Sequence, residues 1–254
     1  MMQADTLFSV RRVVLNKKGR LILDVPQLDL PKGCHTAVIG PNGAGKSTLL
    51  RGLLGAWGGD IRLQGMPIAE ALKAGSLAWV GQHGQYTLPL TVRDYVLLGG
   101  YPHGGWFDMP SSQHIPEVEP LLAAFDLSHL AEQRIGSLSG GEQQRANLVR
   151  ALLQQAPVLL LDEPCNHLDI RHQHGLMQYL KQNKQSFSAV MVLHDLNMAA
   201  HYADYIVLLD QGRLVAAGTP EEVMTAERLS GVYRWPVRRT EEDGKLHFRM
   251  DMVA

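Results

Sequence analysis

The nonapeptide Gly40-Pro41-Asn42-Gly43-Ala44-Gly45-Lys46-Ser47-Thr48 stands between a short apolar run at residues 35–39 and a helix-like run at residues 47–54. A buried strand that enters a glycine turn and leaves it as a helix is one unit of a sheet with crossover helices, which excludes most other architectures. The nonapeptide also fits the P-loop pattern. Its glycines let backbone N–H groups turn inward around phosphate oxygens, and the helix N-terminus adds its positive dipole end. Lys46 supplies a point charge and Ser47 a hydroxyl for Mg²⁺. A glycine turn that binds nothing is the bland alternative, and the flanking strand and helix count against it.

Further short apolar runs at residues 77–80, 158–161, 189–193 and 206–209 read as strands, with helical patterns in several of the gaps. The expectation is an α/β core with a mostly parallel sheet. Ahead of it, residues 7–15 and 21–30 read as an antiparallel hairpin across a turn at residues 16–19, an N-terminal β subdomain. From about residue 90 to 138 the pattern turns helical, at 92–98 and 116–125, and reads as a helical subdomain inserted in the sheet. The turn at residues 210–213 and a short helix from Pro220, capped by Thr219, complete the core. The whole is expected as one domain: residues 7–89 and 139–225 as core, and about 226–254 as a C-terminal tail.

Composition removes several classes. With 45% apolar residues in 254, a packed core is assured and disorder is excluded. A net charge of -1 provides no global field toward nucleic acid, which is not expected as a partner. The two cysteines, Cys34 and Cys165, make no disulfide framework. Residues 1–6 carry no basic stretch leading into an apolar one, so no secretory signal is expected. The longest apolar runs fall far short of the roughly 20 residues that a spanning helix needs, so membrane work would go through a partner.

Residues 158–163, Val-Leu-Leu-Leu-Asp-Glu, are an apolar strand ending in two carboxylates. That places Asp162 at the edge of the sheet where open α/β folds bind ligands, able to hold Mg²⁺ through water. Glu163 is suited to orient or deprotonate an attacking water. Residues 138–145, Leu-Ser-Gly-Gly-Glu-Gln-Gln-Arg, open another helix. Ser139 is a good N-cap, and Gly140 and Gly141 leave N–H groups unshielded, so a second anion-binding helix end is expected there.

This octet resembles the signature motif of ABC ATPases, and the rest of that family's set follows in order over roughly residues 7–225. The resemblance implies a P-loop NTPase fold that binds ATP with Mg²⁺. It implies that Gln82 is the loop glutamine reaching Mg²⁺ and the attacking water. It implies that residues 166–169, ending in Asp169, form a loop crossing to the other protomer, and that His194 contacts the γ-phosphate. Two departures stand out. Residues 15–18 hold no aromatic ring for stacking adenine, and Cys165 sits where the family often has threonine or another small residue. His167, His172 and His174 cluster, but residues two apart point to different sides of a helix, so a solvated helix face is expected over a metal site.

One P-loop and one signature per chain imply a homodimer, each signature closing on the other protomer's nucleotide. The resemblance further implies docking to a polytopic permease at the cytoplasmic face of the inner membrane, with an extracytoplasmic substrate-binding protein beyond it. Residues 88–103, 194–200 and 218–223 are similar to importers of iron-siderophore complexes, haem and cobalamin, with manganese and zinc importers next. A soluble ABC ATPase or a non-catalytic nucleotide-binding scaffold are the rivals.

Overall fold

The computed structural model describes residues 6–81, 89–103 and 115–251. Strands β1 (Thr6–Lys17) and β2 (Arg20–Pro31) form the expected antiparallel hairpin, closing tightly on Lys18-Gly19. Leu7, Phe8, Val10 and Val13 of β1 and Leu23 and Val25 of β2 are buried. Next come β3 (Thr36–Ile39) and α1 (Lys46–Leu53). Two short strands absent from the sequence expectation follow: β4 (Asp60–Leu63) pairs antiparallel with β1, and β5 (Met66–Pro67) extends that edge. Then come α2 (Ile68–Lys73) and β6 (Leu77–Val80).

The helical stretch contains α3 (Val92–Leu97), which runs into a 3₁₀ turn at Leu98–His103, and α4 (Ile115–Ala124). Thr91 caps α3 by accepting from the Asp94 N–H at 3.1 Å. Val92, Tyr95 and Val96 form its buried face, and Arg93 on the other side reaches both Glu119 and Glu132. After two further short 3₁₀ turns, α5 (Gly140–Leu153) lies against α3 and α4.

From there strand and helix alternate: β7 (Val158–Asp162), α6 (Ile170–Gln182), β8 (Ser188–Val192), α7 (Leu196–Tyr202) and β9 (Tyr205–Asp210). The chain turns back as β10 (Arg213–Gly218) and continues through α8 (Pro220–Val223), where Thr219 and Glu222 form a capping box. Among the described residues the main sheet is ten-stranded, in the order β5-β4-β1-β2-β10-β9-β3-β8-β7-β6. Its block from β9 to β6 is wholly parallel, and the antiparallel hairpin joins it through β10.

Parallel strands covered on both faces read as continuous apolar runs, and these do. The period of two still sorts their side chains. Leu159 and Leu161 of β7 and Ala189 and Met191 of β8 face the core shared with the helical stretch. Val158, Leu160, Val190 and Val192 face the other core, built with α1 and the β1-β2 hairpin.

The expected tail is folded. Residues 226–250 form α9 (Ala226–Tyr233) and a hairpin of β11 (Val237–Glu242) and β12 (Lys245–Met250). Asn197 of α7 pins the hairpin: its amide donates to the Phe248 carbonyl at 3.1 Å and its carbonyl accepts from the Phe248 N–H at 2.7 Å. His201 meets the Leu246 carbonyl at 2.7 Å. The element therefore braces the helix that begins two residues after His194.

Candidate functional site

Strands β3, β7 and β8 end on one edge of the sheet and deliver the P-loop, Asp162-Glu163 and His194 respectively. Gly45 caps α1 in the left-handed region at φ 100, and Lys46 opens the helix. The Lys46 ammonium curls back over the loop, donating to the carbonyls of Gly40 at 2.8 Å and Pro41 at 2.9 Å. Burial pushes its pKa down, while the carboxylates of Glu163 and Asp162 hold it up. It is a desolvated cation held by two backbone carbonyls at the mouth of the glycine loop, suited to an anion.

Asp162 is fully buried at the end of β7. Its Oδ1 accepts from the Ser47 hydroxyl at 2.7 Å, and its Oδ2 is buried with no hydrogen-bond partner. Burial pushes its pKa up, opposed by the Ser47 hydrogen bond. An orphaned buried carboxylate oxygen beside a hydroxyl is a donor set for a hard divalent cation such as Mg²⁺. The residues present fit that ion.

Glu163 follows in the left-handed region at φ 55, which turns its side chain away from Asp162. Its Oε1 lies 2.8 Å from His194 Nε2, and its Oε2 accepts from the Asn166 amide. The pairing with His194 brings together two sequence-predicted residues that follow different strands. Asn166 is part of a predicted loop, but its hold on Glu163 was beyond sequence reasoning.

Ser139 caps α5 as expected, in a full capping box with Glu142. The Ser139 N–H and hydroxyl both lie 2.7 Å from Glu142 Oε2, and these two hydrogen bonds pull the Glu142 pKa down. Gly141 has a second reason to be glycine: a Cβ there would stand 2.7 Å from the His167 carbonyl oxygen. The signature helix is also tied to the acid loop by Gln144, whose amide donates to the Pro164 carbonyl at 3.3 Å. Asp169 caps α6 by accepting from the His172 N–H at 2.9 Å. Gln82 lies outside the described residues.

A cavity of about 950 Å³ opens over the P-loop. Pro41 to Thr48 and Glu163 line it together with Arg20, Leu21, Ile22, Asp210, Gln211, Arg213 and Arg234. Ser139, Gly140, Gly141 and Asp169 are not among its lining residues. Among the described residues its lining holds no aromatic ring but three arginines, of which Arg234 pairs with Asp210 at 3.1 Å. Sequence reasoning missed these residues because Arg20 and Arg234 meet only through the sheet and α9.

His174 bonds the Tyr202 hydroxyl at 3.0 Å, and no group of three or more metal-capable side chains occurs among the described residues. His172 departs from the expected solvated face, since its side chain is only 18% exposed. Burial pushes the Cys165 thiol up to about 12, which leaves it a poor nucleophile.

Residues 23–166 match the family model described as ABC transporter. This chain belongs to the ABC transporter family. It is 36% identical to the hemin import ATP-binding protein HmuV of Escherichia coli O157:H7, over 89% of this chain and 92% of that one. It is 38% identical to a siderophore transport system ATP-binding protein of Bacillus subtilis, over 92% of this chain and 88% of that one. Among solved structures, a metal-chelate type ABC transporter in an inward-facing conformation shares its fold at a TM-score of 0.82, with 27% identity and 98% of each chain covered.

Proposed function

We propose that this chain is the ATP-hydrolysing subunit of an importer for a metal chelate such as an iron-siderophore, haem or cobalamin complex. Supporting this is that Lys46, Ser47 and Glu163 line one cavity, with Ser47 bonded to Asp162 and Glu163 paired to His194 behind them. Lys46 and the P-loop amides would hold the triphosphate. Asp162 and Ser47 would hold Mg²⁺, which when bound neutralises phosphate charge. Glu163, kept in place by His194 and Asn166, orients the water that attacks the γ-phosphoryl group and takes its proton, leaving ADP and phosphate. His194, paired to Glu163, would contact the γ-phosphate in the same set. Gln82 belongs to the same set by its position after β6.

The working unit is a homodimer. Ser139, Gly140, Gly141 and Asp169 do not line their own chain's nucleotide cavity, so in this reading they act on the partner's. ATP favours closure because its γ-phosphate gains those contacts only in the closed pair, and hydrolysis releases them. The stroke is delivered to a polytopic permease, itself served by an extracytoplasmic binding protein, with the dimer on the cytoplasmic face of the inner membrane. No helix among the described residues is long and apolar enough to cross a membrane. The catalytic core comprises residues 7–89 and 139–225, with residues 90–138 as the helical part that meets the permease. The names of the relatives favour hemin or siderophore cargo over manganese or zinc.

Glu163→Gln tests the chemistry. Loss of a preorganised catalytic group costs about 10²-fold or more in rate, so the variant should bind ATP and barely turn it over. Turnover at the native rate would overturn the assignment of Glu163. Co-purification with a many-span membrane protein tests the transport role against that of a soluble ABC ATPase.

A further inference from the structure

The end of α4, the middle of α5 and the first turns of α6 meet around a second cavity, of about 270 Å³. His172 lies in its wall between two acids that belong to different parts of the chain. On one side its Nδ1 stands 2.9 Å from both oxygens of Asp169, the residue that caps α6 and ends the loop at residues 166–169. On the other side its Nε2 points to Asp126, which follows α4 in the left-handed region at φ 54. The distance from Nε2 to Asp126 Oδ2 is 3.5 Å, and Nε2 is buried with no hydrogen-bond partner.

We infer that His172 is a positioning residue, a strut through which the helical stretch at Asp126 sets the place of Asp169 and of the loop that Asp169 ends. This rests on the reading that residues 166–169 act at the partner's nucleotide. The contact to Asp169 is made and the contact to Asp126 is a few tenths of an ångström slack, so a small approach of α4 toward α6 closes it. With an N–H on each nitrogen the ring donates to both acids at once. Arg145, Arg171 and Tyr179 are the other charged or titratable groups that line the cavity. Arg145, which also acts on Asp169 electrostatically, is 8% exposed with a buried Nε that has no partner, so the cavity wall holds two unspent donors and has room to rearrange. The loop itself is stiff enough to transmit a displacement: Gln173 holds the carbonyls of Cys165 and Leu168 at 3.3 and 2.9 Å. Asn166 at the loop's other end holds Glu163. Movement of the helical stretch thus reaches the catalytic carboxylate and the face toward the partner through one imidazole.

The test is a steady-state ATPase comparison of the native full chain with His172→Ala, Asp126→Ala and the double variant. Asp126 is exposed, so its loss leaves the fold intact. Each single change should lower kcat about tenfold with KM for ATP unchanged, and the double should be no worse than the poorer single, as coupled residues behave. His172→Asn keeps an amide at the Nδ1 position, within reach of Asp169 but not of Asp126, and should remain as slow as His172→Ala. Additive effects, a change in KM alone, or full rescue by His172→Asn would overturn the strut. Glu163→Gln run alongside separates the two failures: if that variant still hydrolyses ATP, the reading of the site is at fault rather than the strut.

Discussion

The Nε2 atom of His194, carried just past the end of β8, stands 2.8 Å from Oε1 of Glu163, carried just past the end of β7. Two neighbouring parallel strands thus set the carboxylate and the imidazole side by side, and Asn166 holds the other carboxylate oxygen. A carboxylate held at both oxygens has little freedom to turn from the attacking water.

His194→Ala should therefore lower kcat about 10²-fold, the scale of a lost orienting contact in general-base catalysis, while leaving ATP binding intact. Single-turnover hydrolysis and nucleotide titration measure the two quantities separately. Equal loss of both would make His194 a binding residue only.

Gly141 carries a sharper steric prediction. Its missing Cβ leaves room for the His167 carbonyl, which a methyl group would meet at 2.7 Å. Gly141→Ala should push the loop at residues 166–169 out of place and lower turnover about 10²-fold, since misplacement by an ångström has that cost. Nucleotide affinity of the isolated chain should hold, because Gly141 does not line the cavity over the P-loop. Fluorescent-nucleotide binding and ATPase rates check both halves.

The fold was legible in the sequence wherever one local signal decided the outcome. The apolar runs that became β7 and β8 are buried on both faces, and the Ser139 and Thr219 caps both formed with their glutamates three residues on. Strands β4 and β11 were missed because they are short or heavily charged, and their apolar faces appear only once a partner covers them. Asp243-Gly244, with both φ positive at 50 and 69, was an overlooked hairpin signal for β11 and β12. The P-loop and the paired acids were readable because their chemistry is local. Arg20, Arg234 and the Glu163-Asn166 bond were not, since each depends on how distant segments cross or on a backbone turn at φ 55. His172 read as solvated because the sequence cannot show that the end of α4 and α5 are brought against it.

His35 makes stability depend on pH. It is 1% exposed, with Nε2 donating to the Leu180 carbonyl at 2.8 Å and Nδ1 accepting from the Ala189 N–H at 3.0 Å, the pattern of a neutral ring. Burial pushes its pKa down. The unfolded chain then binds the proton more readily, so this contribution is complete above the ordinary histidine pKa of about 6.5 and is lost as pH falls below it. The thermal midpoint should drop on acidification, and His35→Gln should flatten that slope, with the remainder partly due to His201, which burial also pushes down. An unchanged slope in the variant would remove His35 as the cause.

Nucleotide-driven pairing is read directly from the solution mass of Glu163→Gln with saturating ATP and Mg²⁺. Two chains clasping nucleotide between them predict a particle of twice 28.1 kDa that reverts to single chains when ATP is withdrawn or Ser139 is replaced by a bulky residue. A particle that stays at 28.1 kDa with its P-loop occupied would contradict it.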